Sequence, residues 1–87
     1  MIAFDDKPAV AAMYRLQFEA TQAAWVLLYP EGMVRLNGPA GEIMRRCSGE
    51  RSVGELIAEL QRAFQHDDLR ADVCEFLEHA YGRGWLV

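Results

Sequence analysis

The hydrophobic period of this chain changes once, at Asn37-Gly-Pro39, and that change restricts the fold more than any other feature. Before it, Tyr14, Leu16 and Phe18 alternate with Arg15 and Gln17, the period of two expected of a half-buried strand. Trp25-Val-Leu-Leu-Tyr29 is rich in aromatic and branched residues and too short for a helix. It ends at Pro30-Glu31-Gly32, a turn signal, and Met33-Val-Arg-Leu36 follows with Val34 and Leu36 on one face and Met33 and Arg35 on the other. So short a turn between two extended runs predicts an antiparallel hairpin, with the earlier run as a third strand.

After Pro39 the period becomes 3.6. Asn37 is a good N-cap and Pro39 falls in the first turn, where a missing N–H costs nothing. Ala40, Ile43, Met44 and Cys47 then form one apolar face, and Gly49 stands where the helix is expected to stop. Ser52-Val-Gly-Glu55 has the form of a capping box, opening a second helix with Val53, Leu56, Ile57, Leu60 and Phe64 on its stripe. A third helix is expected from Asp67 or Asp68, with Leu69, Val73, Phe76, Leu77, Ala80 and Tyr81 inward and Gly82 and Gly84 at its end. Trp85-Leu-Val87 is an apolar tail expected to pack back or pair as an extended piece.

This order predicts an α+β fold: a three-stranded antiparallel sheet followed by three helices, winged helix-turn-helix-like with its strands on the N-terminal side. With 87 residues there is room for one domain. It is expected over residues 14–87, preceded by a flexible arm at residues 1–13, which has no periodicity. No apolar run approaches the ~20 residues of a membrane span. The opening MIAFDDKPAV carries acids where a signal peptide carries lysines, so a cytoplasmic location without membrane contact is the expectation.

Charge and chemistry narrow the function. The net charge is −4, and residues 50–87 hold eight acids against four arginines. Carboxylates on either candidate reading helix (Glu55, Glu59; Asp72, Glu75, Glu78) repel phosphates, so nucleic acid is not the expected partner. Only Arg45, Arg46 and Arg51 form a small basic patch, which leaves a winged-helix DNA-binding regulator as the alternative reading. Cys47 and Cys74 form no CxxC pair, and neither they nor His66 and His79 have metal-ligand spacing. There is no GxSxG, phosphate loop or HExxH, and the acids sit mostly at helix starts, where the helix dipole accounts for them. A non-enzyme without metal or cofactor is expected.

Peptide capture fits better. A three-stranded sheet exposes two edges, and an edge strand presents unpaired N–H and C=O groups. Met33–Leu36 has one charge and no proline to blunt it. If it lies at an edge with the third helix alongside, the two form a groove that a guest strand completes, its alternate side chains dropping beside the helix. The same edge is a liability for self-association, either through a second copy or by exchange of the arm, so a homodimer is expected as well.

Arg15-Leu16-Gln17, Leu27-Leu-Tyr-Pro-Glu-Gly-Met33, Leu36-Asn37 and Gly84-Trp85-Leu86 together resemble the PqqD family of pyrroloquinoline quinone biosynthesis. The likeness runs from about Arg15 to Val87 and is most specific in VLLYPEGMVRLN; in the helices it lies mainly in the apolar pattern. It implies a peptide chaperone that binds the ribosomally made precursor PqqA. The chaperone presents it to PqqE, a radical S-adenosylmethionine enzyme that joins a glutamate and a tyrosine of the peptide by a carbon–carbon bond. It also implies that the leader segment adds as a strand between the third strand and third helix. Carried onto this chain, the strand role falls on Met33, Val34, Arg35 and Leu36, and the helix wall on Leu69, Asp72, Val73, Phe76 and Leu77.

Overall fold

A computed structural model describes residues 2–87. Three strands, β1 (Arg15–Glu19), β2 (Ala24–Tyr29) and β3 (Gly32–Arg35), precede three helices, α1 (Gly38–Met44), α2 (Val53–Ala63) and α3 (Arg70–Gly82). The sheet is antiparallel with order β1-β2-β3, so β2 is central and both other strands are edges. Leu16, Leu27 and Val34 lie across from one another, as do Gln17, Val26 and Arg35 on the opposite face. Alternation puts Trp25 and Leu27 toward the helices. Leu27 has no exposure and joins Met44, Leu56, Leu60, Leu77 and Trp85 in one core.

The helix starts follow local chemistry. Asn37 Oδ1 accepts from the Ala40 N–H at 2.8 Å, and Pro39 sits in the first turn of α1. The capping box at α2 is complete: the Glu55 N–H donates to Ser52 Oγ at 3.1 Å and the Ser52 N–H donates to Glu55 Oε1 at 2.8 Å. These bonds hold the Glu55 carboxyl below the usual range. Gly41 lets α1 lie against β2, because a Cβ there would meet Trp25 Cδ1 at 2.8 Å.

Three elements depart from the sequence reading. The third helix begins at Arg70 rather than Asp67 or Asp68. Neither aspartate caps it; the Asp68 N–H is taken by His66 Nδ1 and the Leu69 N–H by Gln61 Oε1, each at 3.2 Å, so the chain is still turning there. Phe64, expected on the α2 stripe, is 53% exposed, because α2 ends one residue before it. The first helix ends at Met44, and Cys47 is buried from the turn beyond it.

The first residues differ most from expectation. Read from composition as a loose arm, they run along the C-terminal tail: Ala9 and Val87 exchange backbone hydrogen bonds at 3.1 and 2.8 Å, and the Ala11 N–H donates to Trp85 O at 2.8 Å. Further back, Pro8 O accepts from Gly49, Asp6 O from Val53 and Phe4 O from Gly54. Pro8 is fully buried, and the Arg70 guanidinium stacks 4.2 Å from the Phe4 ring centroid. The physical reason is that the apolar tail has its own unpaired backbone, and the arm satisfies it. Gly49 allows this approach, with φ +85° and a position where an added Cβ would stand 3.2 Å from Ala9 Cβ. Among the described residues no helix is long and apolar enough to cross a membrane.

Candidate functional site: the groove between β3 and α3

The exposed edge of β3 runs beside an open groove of about 870 Å³. Val34, Arg35 and Leu36 form one wall, and Leu69, Asp72, Val73, Phe76 and His79 form the other. These last five share a face of α3, at the i, i+3, i+4 spacing of a helix. Asn37, Gly38, Pro39, Ala40, Glu42 and Ile43 of α1 and its cap contribute part of the lining, Leu60, Phe64 and His66 come from α2 and its following loop, and Trp85 comes from the tail. Among the described residues none of the arm lines it, and this edge is left open by them.

The register decides which backbone groups face the groove. Leu36 donates its N–H to Trp25 O at 2.9 Å, inside the sheet. In an antiparallel ladder the direction alternates by residue, so Val34 also turns its N–H and C=O toward β2. Met33 and Arg35 turn theirs outward, to the free edge. Side chains alternate too: Val34 and Leu36 point to the helix side, Val34 half-buried and Leu36 buried, while Met33 is 48% exposed on the far face. The free edge thus presents main-chain groups of Met33 and Arg35, with the side chains of Val34 and Leu36 on the groove side.

Of the nine residues named from sequence, seven line the groove and two do not. Met33 offers only its backbone from this side. Leu77 has no exposure at all and belongs to the core beneath. The α1 residues, Phe64, His66, His79 and Trp85 carried no sequence signal toward a site, because they meet there only through the tertiary fold. The one hint was Phe64, a large apolar side chain at the very end of its helix.

The basic patch has a different fate. Arg46, 7% exposed, donates to Glu42 Oε1 at 2.7 Å and to Glu59 Oε1 at 2.8 Å; Arg51 donates to Glu59 Oε2 at 2.8 Å. Arg45 lies 3.6 Å from Glu42. Although burial opposes the charge on Arg46, its hydrogen bonds to Glu42 and Glu59 leave it firmly protonated, and the Arg46 bond holds the Glu59 carboxyl below its ordinary range. This network ties the end of α1 to α2 and is committed to structure. Cys47 is equally inert: burial pushes its thiol up to about 12, against a lowering by Arg51. Among the described residues no group of three His, Cys, Asp or Glu is placed to hold a metal.

A family model described as coenzyme PQQ synthesis protein D (PqqD) matches residues 24–86, which include the whole groove. The chain belongs to the PqqD family. The PqqA binding protein of Azotobacter vinelandii is 42% identical over 83 residues, covering 94% of this chain and 90% of that one. The PqqA binding protein of Methylococcus capsulatus is 35% identical over 77 residues, covering 88% and 83%. The fold is also that of a solved structure, the solution NMR structure of the PqqD truncation of Methylobacterium extorquens PqqCD, described as a functional and stand-alone RiPP recognition element. The TM-score is 0.81 at 22% identity, with 100% of this chain and 95% of that one covered. These PqqD-family descriptions name binding and recognition, in agreement with the expectation of a binding module rather than a catalyst.

Proposed function

We propose that this chain is a peptide chaperone of pyrroloquinoline quinone biosynthesis. It captures the precursor PqqA as an added strand on β3 and presents it to the radical S-adenosylmethionine enzyme PqqE. The observation that carries the reading is the unpaired β3 edge beside an apolar groove, in a chain whose relatives bear the name PqqA binding protein. Backbone bonds to Met33 and Arg35 hold the guest in register, each stabilising by about 0.5–1.5 kcal/mol net. Guest side chains fall between Val34, Leu36, Val73 and Phe76, while Leu69 and Asp72 border the path. A few such bonds with two buried anchors give affinity of about micromolar, roughly −8 kcal/mol. Chemistry is left to the enzyme; the module raises the local concentration of its substrate.

Calorimetry with a PqqA peptide tests this. Arg35→Pro removes an outward-facing donor and blocks the incoming strand, yet leaves the β2–β3 ladder intact, as proline at a sheet edge does. Affinity is expected to fall about tenfold or more, while Arg35→Ala, which keeps the N–H, retains most of it. Absence of heat with the wild-type chain overturns the reading. Unchanged affinity in folded Arg35→Pro overturns strand addition at β3. Retardation of duplex DNA in place of peptide binding favours the regulator, although the arginines of its small basic patch are paired with carboxylates.

A further inference from the structure

The groove carries one charge that the fold does not use. Asp72 is the third residue of α3, the position from which Glu55 of α2 reaches back to its own N-cap. In α3 that task is already filled: the N-cap is Leu69, and its N–H donates to Gln61 Oε1 at 3.2 Å. Among the described residues no cation stands within ion-pair distance of Asp72. Its carboxylate is exposed and lines the groove. We propose that Asp72 selects the guest by taking a lysine or arginine side chain of the peptide. This rests on the peptide-capture reading and adds to it the chemistry of the guest.

The other charged or titratable groups of the lining are engaged elsewhere. Glu42 Oε1 accepts from Arg46 at 2.7 Å and has Arg45 at 3.6 Å. His66 Nδ1 accepts from the Asp68 N–H at 3.2 Å, and His79 stands edge-on to the Trp85 ring at 5.5 Å. Alternation turns the Arg35 side chain to the far face of the sheet. Arg70, two residues before Asp72, is stacked on the Phe4 ring. Asp72 is thus left as an uncommitted anion at the wall of an apolar groove.

What stands beside it defines the class of side chain it takes. Phe76 follows at i+4 on the same face of α3 and is half-buried, so its ring offers a surface to the stem of a long side chain whose charged head reaches Asp72. Lysine and arginine have that form. An acidic side chain at the same place meets a like charge, so the one carboxylate both selects and rejects. The wider field agrees in sign, since residues 50–87 hold eight acids against four arginines and attract a positive guest toward this half.

Calorimetry with a PqqA peptide, and with that peptide altered at each of its lysines and arginines in turn, tests the assignment. Asp72→Asn is expected to weaken binding about fivefold and Asp72→Lys about tenfold or more, with circular dichroism showing both folded. Glutamine in place of one basic guest residue costs the same about fivefold, after which Asp72→Asn costs nothing further. Glutamate at that guest position restores binding to Asp72→Lys. Equal affinity of Asp72→Asn and wild type overturns the assignment, and so does an Asp72→Lys chain that glutamate fails to rescue. On the wild-type chain alone, a set of guest substitutions none of which weakens binding overturns it as well, whatever the variants do to folding. These outcomes leave the peptide-capture reading standing as long as Arg35→Pro weakens binding, whereas absence of heat with the wild-type pair overturns both.

Discussion

The two edges of the sheet are built from the same backbone chemistry and differ in what stands beside them. β3 has α3 across a groove, so a chain adding there is read by its side chains as well as bonded by its main chain. β1 lies outside that groove, and what it offers is main chain, a partly exposed Phe18 and a charge at each end. An edge with a wall can discriminate among guests; an edge without one discriminates only through register and charge.

The largest expected effects come from placing proline on each edge in turn. Arg35→Pro is expected to weaken peptide binding by about tenfold or more, while Phe18→Pro, which removes an outward donor of β1, leaves peptide binding intact. Calorimetry on both variants reads the difference. Equal losses in the two variants would break the distinction.

A second test asks whether the wall beside β3 depends on how closely α1 approaches the sheet. Gly41→Ala drives a methyl to within 2.8 Å of the Trp25 ring, which no flexible side-chain end is there to relieve. Overpacking of this kind costs about 1–3 kcal/mol, offset by up to about 1 kcal/mol of helix propensity. A net loss of about 1–2 kcal/mol is expected in urea unfolding, with weaker peptide binding because α1 lines the groove. A neutral result would show that the wall tolerates displacement.

The smallest effect is electrostatic. Glu59 titrates below its ordinary value of about 4.3 because of its bonds to Arg46 and Arg51. Its folded pKa lies under the unfolded one, so its contribution is complete above the ordinary value and is lost as the pH falls through the folded one. Glu59→Gln should therefore unfold more easily than wild type near neutrality and lose less stability on acidification. Glu55, lowered by Ser52, keeps part of the acid dependence in both. Equal acid sensitivity in the two chains would show that the α1–α2 tie is not carried by this carboxylate.

Much of this molecule is visible in its residues, for reasons that are local. Period two and period 3.6 separate the strands from the helices, Asn37 and Ser52 fix two helix starts, and Val34, Leu36, Leu69, Val73 and Phe76 are legible as groove walls because they share faces. The misplacements are equally instructive. Asp67 and Asp68 look like caps, but Gln61 and His66 bind the backbone that they would have served. The Leu36–Trp25 bond puts the N–H of Arg35, and not that of Val34, on the free edge, a direction that side-chain pattern alone does not give. Leu77 shares the apolar stripe of α3 with Phe76 and is nonetheless fully interior, since a helix stripe is wider than the face that reaches a groove.

Short-range patterning, then, determined the elements, their order and the antiparallel hairpin, because capping, turn chemistry and side-chain alternation act within a few residues. Tertiary structure alone decided that the N-terminal segment lies along the tail, that Arg46 is bound across to Glu59 of α2, and that β3 and not the central strand meets the groove. Those outcomes depend on hydrogen bonds and charges that find partners far away in sequence, and no local pattern encodes which partner is within reach.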